Sequence, residues 1–120
     1  MRSQGEEYIE KILQKLSITY QREYRFLDCK DSRPLPFDFA IFNSNNNNLL
    51  FLIELNGKQH YEPRFGSNIE NSLKNLEYTQ KHDDIKKNYC EKNCLDLLII
   101  PYNDIQKAES LIKERMKKYI

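Results

Sequence analysis

The chain has 120 residues, 31% of them charged, and a formal net charge of +1; its clustered aliphatic residues and its length suit one domain spanning residues 1–120 and exclude a disordered tail. The near-neutral balance excludes a globally basic nucleic-acid binder, so any phosphate-binding surface has to be local. The longest apolar stretch, Leu49 to Ile53, is far short of the roughly 20 residues a membrane span needs.

From Gly5 to Leu16, Ile9, Ile12, Leu13 and Leu16 recur at helical spacing behind Ser3, an N-cap candidate, which predicts an amphipathic helix with acids in its first turn. Ile18 to Phe26 carries Ile18, Tyr20, Tyr24 and Phe26 in alternation and predicts a strand, with a loop marked by Pro34 and Pro36 after it. Phe37 to Phe42 and Leu49 to Leu55 predict two strands, the second central and buried, joined through the turn-forming run Asn43 to Asn48. The asparagines Asn45 to Asn48 are read as a tolerated surface turn. An irregular segment is expected from Gly57 to Asn68, then one long helix or two shorter ones over Ile69 to Lys92 with a lysine-rich polar face. Leu95 to Pro101 predicts a last strand, and Ile105 to Tyr119 a last helix. The expected order is αβββαβα, an α/β fold.

Two carboxylates stand out. Asp38 ends Pro36-Phe37-Asp38, and Glu54 lies inside the apolar run Leu52-Ile53-Glu54-Leu55. An ionised carboxylate is seldom placed in an apolar strand without a cation or hydrogen-bond partner. A divalent metal between the two would compensate both, and Mg2+ takes hard oxygen ligands from one or two carboxylates, completing its shell with water and substrate phosphate. The competing reading is that Asp38 caps a turn and Glu54 pairs with a lysine such as Lys58 or Lys86. His60, behind Gly57, could orient water, protonate a leaving oxygen or contact phosphate, although a lone loop histidine is commonly without a role. Helical spacing turns Glu6 inward with Ile9 and Leu13 and leaves Glu7 toward solvent. Asp83 and Lys86 lie one turn apart, in a functional face or an exposed salt-bridged one.

Gly5-Glu6, Leu35-Pro36-Phe37-Asp38-Phe39, Ile53-Glu54-Leu55-Asn56-Gly57-Lys58-Gln59-His60-Tyr61, Asp83-Asp84-Ile85-Lys86-Lys87-Asn88-Tyr89-Cys90 and Ile99-Ile100-Pro101-Tyr102 together resemble the very-short-patch-repair-like endonucleases of the PD-(D/E)xK superfamily. They look most like the phage and large-virus, homing-type group whose active site is called EDxHD. The resemblance implies a restriction-endonuclease-like fold, a mixed sheet flanked by helices, and Mg2+-assisted cleavage of DNA, with Mn2+ an expected substitute. Its catalytic set falls on Glu6, Asp38, His60 and Asp83, the last chosen over Asp84 because the family's aspartate stands three residues before a lysine. Glu54 matches a second acid and metal ligand. Asn56 stands where the wider superfamily has lysine, so proton handling passes to His60, with Gln59, Lys58 and Lys86 positioning water or phosphate.

Three cysteines, Cys29, Cys90 and Cys94, with no apparent export signal point to free thiols and a cytoplasmic or nuclear location rather than a secreted one. A structural zinc is not expected, since Cys90 and Cys94 form only a CxxxC on one helical face. Lys58, Arg64, Lys81, Lys86 and Lys87 are candidates for phosphate contact, whereas Lys113, Arg115, Lys117 and Lys118 are read as solvating the last helix. Sequence specificity would have to come from a loop such as 61–68, a partner or a homodimer. The alternative functions are a catalytically inactive DNA-binding or assembly module of the same fold, and a nuclease for RNA or for branched or single-stranded DNA.

Overall fold

The first helix starts where its capping residues dictate. Ser3 Oγ accepts the Glu6 N–H at 3.1 Å and Glu6 Oε2 accepts the Ser3 N–H at 3.0 Å, a reciprocal box that satisfies two otherwise orphaned donors. The computed structural model describes residues 3–57 and 69–119. Their elements run α1 (Gln4–Lys15), β1 (Thr19–Lys30), β2 (Pro34–Phe42), β3 (Leu49–Asn56), α2 (Ile69–Lys92), β4 (Leu97–Pro101) and α3 (Ala108–Met116). The order is the expected αβββαβα, with α2 a single helix.

The four strands form one mixed sheet in the order β1-β2-β3-β4, antiparallel except for the parallel β3–β4 pair. Strand β3 is therefore central, as its unbroken apolar run suggested. Side chains leave the sheet in two sets. Phe39, Ile41, Phe51, Ile53 and Ile100 meet Ile9 and Leu13 of α1 and Ile112 of α3. Phe37, Ala40, Phe42 and Leu52 meet Cys29 and Cys90, with Ile85 and Tyr89 of α2 packed against them. The sheet is thus covered by α1 and α3 on one face and by α2 on the other. Burying these large side chains is the main source of stability, at about 25 cal/mol for each Å² removed from water.

Several boundaries differ from the sequence reading. Strand β1 runs on to Lys30, and Pro34 and Pro36 belong to β2 rather than to a loop. Proline is tolerated there because Pro34 opens its strand, and Pro36 lies beyond Phe39–Ile53, where β2–β3 pairing ends, so β2 is locally an edge. Strand β4 begins at Leu97 rather than Leu95. The last helix begins as a 3-10 turn, Tyr102–Lys107, in which Asp104 departs from helical geometry; regular α-helix starts only at Ala108. Cys94 lies beyond α2 at φ 55°, so Cys90 and Cys94 do not share a helical face; all three cysteines are free.

The asparagine run is a turn with its own internal bonds. Asn43 and Asn46 side chains accept the Asn45 and Asn48 N–H groups, and Asn47 takes φ 60°, a conformation asparagine adopts more readily than most residues. Among the described residues no helix is long and apolar enough to cross a membrane.

Candidate functional site

The candidate site lies where the β2–β3 ladder stops. Pairing runs from Phe42–Leu49 to Phe39–Ile53, and the next step would oppose Asp38 to Glu54. There the side chains take over the ladder's donors: Glu54 Oε1 accepts the Asp38 N–H at 2.9 Å, and Asp38 Oδ2 accepts the Leu55 N–H at 2.7 Å. Two carboxylates are thereby fixed side by side, each tied to the other's strand.

Their electrostatics follow from that closeness. Burial pushes the Asp38 carboxyl up, to about 8, and the charges of Glu54 and Glu6 push the same way against the Leu55 N–H and Lys86. Burial also raises Glu54, with Asp83 adding to the shift and Lys86 opposing it. As one carboxylate ionises it resists the ionisation of the other, so the pair retains a proton that an exposed aspartate would have lost.

Three elements deliver the remaining charges. On α2, Lys86 Nζ donates to Glu54 Oε2 at 3.0 Å, with both side chains almost wholly buried, and lies 5.6 Å from the centre of the Phe37 ring. Asp83, one turn earlier, lines the same recess with Glu54, Asn56, Lys86 and Lys87. Helix α2 is held in this orientation by contacts with β1 and the turn after it. Tyr89 Oη donates to Asp28 at 2.7 Å, and His82 Nε2 lies 3.0 Å from Asp31, which also meets Lys81 at 3.5 Å.

From the opposite face, α1 presents Glu6. Gly5 sits close against Leu55, whose terminal methyl would have to shift to admit a Cβ there. Glu6 is partly buried and Glu7 exposed, as helical spacing required. One Glu6 oxygen closes the capping box, and the other lies 4.0 Å from Arg22 Nη2.

The structure therefore brings Glu6, Asp38, Glu54, Asp83 and Lys86 into one electrostatic neighbourhood. Lys58, Gln59 and His60, with Arg64 and the 61–68 loop, lie outside the described residues. Of the two lysines offered as partners for Glu54, Lys86 fills that place. Lys81 is engaged by Asp31, and Arg115, read as merely solvating α3, instead binds Asp96. Sequence reasoning missed Arg22, on a strand that looked half exposed, and the Asp31–His82 contact, whose residues are 51 positions apart.

As a cation site the donors suit a hard metal. Among the described residues no three histidine, cysteine or acidic side chains converge as a metal-binding group. Mg2+ does not need three, because it commonly uses one or two carboxylates and fills its shell with water and substrate oxygens. The adjacent Asp38 and Glu54 carboxylates, with ionisation opposed until positive charge arrives, meet that requirement. Comparison of the chain with protein-family models, with curated proteins and with solved structures finds no match.

Proposed function

We propose that this chain is a Mg2+-dependent endodeoxyribonuclease domain that hydrolyses phosphodiester bonds in DNA. We assign it a restriction-endonuclease-like PD-(D/E)xK arrangement of the very-short-patch-repair-like, EDxHD type. The observation that carries the reading is the Asp38–Glu54 pair, two buried carboxylates held together at the end of the central ladder with their ionisation opposed. A ladder end that merely needed closing would not require two acids.

In this reading Asp38 and Glu54 hold the metal, and Mn2+ can replace Mg2+. When bound, the ion supplies Lewis acidity to the phosphoryl group and to the attacking water. Lys86 secures Glu54 and puts an ammonium where Asn56, in the sequence position of the superfamily's lysine, has none. Glu6 and Asp83 orient the site from its two sides. His60 handles the proton, and Lys58 and Gln59 position phosphate or water; these three roles rest on the resemblance. The proposed setting is the cytoplasm or nucleus, with DNA as partner. Cutting both strands would call for a second copy, whereas nicking would not.

One observation favours the alternative of a non-catalytic DNA-binding or assembly module. Both Glu54 oxygens already have protein partners, Asp38 N–H and Lys86. The deciding experiment incubates the protein with supercoiled plasmid and mismatched duplexes, with Mg2+, Mn2+ or chelator, beside folded Asp38→Ala and His60→Ala proteins. Metal-dependent cutting lost in both variants supports the nuclease. Binding without cutting by the wild type selects the module.

A further inference from the structure

We infer that Arg22 is an anion-binding residue of the same site, gripping a backbone phosphate of the bound DNA strand on the α1 side of the carboxylate pair. The inference rests on the nuclease reading but on different atoms. Arg22 pairs with Phe39 across the β1–β2 ladder, one position from Asp38. The next pair is Tyr24–Phe37, and the skipped residue Glu23 takes φ 51°. At this irregularity the sheet changes which face it presents: Phe39 packs toward α1 and α3, whereas Phe37 packs toward α2. Arg22 stands at that switch, beside the acid cluster.

Its bonding is unfinished. Nε is buried and, among the described residues, has no hydrogen-bond partner. Nη2 reaches Glu6 only at 4.0 Å, outside hydrogen-bond range, and the guanidinium carbon lies 5.9 Å from the centre of the Phe39 ring. The side chain is 19% exposed, so the fork is largely immobilised while part of it still meets solvent. A buried, under-bonded polar group in a native fold calls for an explanation. Structural arginines that serve only as counter-ions usually engage their carboxylate through close, often paired hydrogen bonds.

A phosphate supplies what is missing. Its oxygens match the planar guanidinium fork, and its charge is the kind the site must attract. Glu6, Asp38, Glu54 and Asp83 would together repel a phosphodiester, while Lys86 is committed to Glu54. A divalent ion on Asp38 and Glu54 offsets part of that surplus. Arg22 adds a fixed positive charge on the opposite flank, so that the strand is held from two sides. The competing role is that Arg22 serves only to neutralise Glu6.

The test measures binding of a fluorescent DNA duplex by the 120-residue chain in Ca2+, over a salt series, and cutting in Mg2+. Arg22→Gln should weaken binding about tenfold and reduce the slope of log affinity against log salt by about one phosphate contact, with Arg22→Lys intermediate in affinity at a slope near wild type. Its KM should rise more than kcat falls, and calorimetric Ca2+ affinity should stay unchanged or tighten. Glu6→Gln, which keeps the capping box, should bind DNA as tightly as wild type or more tightly. If Arg22→Gln does not fold, Arg22→Lys and Glu6→Gln decide: wild-type DNA affinity in Arg22→Lys, or weakened binding in Glu6→Gln, overturns the assignment. Unchanged affinity and salt slope in a folded Arg22→Gln also overturns it, and wild-type cutting then leaves the nuclease standing. A wild type that neither binds nor cuts DNA brings down both.

Discussion

Two acidic centres in this fold receive opposite treatment. Asp96, at the entry to β4, is surrounded by donors: Arg115 and Tyr119 of the α3 region hydrogen-bond to its two oxygens, and Lys118 lies 3.9 Å away. Asp38 and Glu54, near the exit of β3, face each other, with Glu6 and Asp83 as additional acids and Lys86 as a cation bonded to Glu54. The first centre has its charge answered by the protein and closes the packing of α3 on the sheet. The second stores an imbalance that an external cation can relieve, and such imbalances gather where ligands bind.

The largest effect that could break this comparison is on cutting. Asp38→Asn keeps an oxygen for the Leu55 N–H but removes the ionisable group. Plasmid cleavage should fall at least ~1,000-fold, equivalent to about 4 kcal/mol of barrier, while thermal stability without metal holds or rises, because the amide mimics the protonated acid. Cleavage retained at the wild-type rate would remove Asp38 from the site.

Lys86→Met comes next. It fills similar space but leaves Glu54 in a buried setting without its counter-charge. Losing one partner of a buried pair costs about 3 kcal/mol, which denaturant unfolding would read as a lower midpoint at an unchanged slope. The loss should be smaller at pH 5, where Glu54 can take up a proton, than at pH 8. A loss independent of pH would point to packing rather than charge.

The distribution of what was legible in the sequence follows the same division. Ser3, Glu6 and the spacing of Ile9 and Leu13 specify α1 locally, because a cap and a helical stripe are properties of neighbouring residues. The buried runs of β2 and β3 announced Asp38 and Glu54 in the same way. Lys86 could be offered only as one of two partners, since 32 residues and a change of element separate it from Glu54. The continuation of β1 past Phe26 was hidden because Leu27 is 85% exposed in the strand and the alternation breaks there. Arg22 carried no signal, as its importance comes from the ladder irregularity opposite Asp38.

A third test is the pH dependence of stability. Asp38 has a raised pKa in the folded chain, so its contribution is fully present below the unfolded value of about 4 and is lost as pH rises through the folded value of about 8. Glu54 moves in the same direction. Without metal, the melting temperature should therefore fall between pH 5 and pH 8.5 by roughly 5 °C or more, on the scale of about 4 °C per kcal/mol for a domain of this size. Saturating Mg2+ should recover more of it at the upper end, where the pair is ionised. At the other centre the Tyr119 hydroxyl should be silent over this range: burial and its bond to Asp96 push it up to about 12, so any loss from it begins only above its ordinary value near 10. A melting temperature that rises steadily over the same interval would contradict the proton-holding pair.

The smallest expected effect comes from the matched centre. Arg115 is about a quarter exposed, and its removal leaves Asp96 with the Tyr119 hydroxyl and the nearby Lys118. Arg115→Met should therefore cost only about 1 kcal/mol, within the range for partly exposed pairs and redundant hydrogen bonds. The change should be nearly independent of Mg2+ and leave the cutting rate within about twofold of wild type, since it contributes no transition-state interaction. If Arg115→Met weakened Mg2+-dependent cutting as strongly as Asp38→Asn, the two centres would be coupled through β3 and β4, and division of the acids into a structural and a functional set would fail. If it lowered stability alone, the excess of acids at the other centre would stand as the feature that packing does not require.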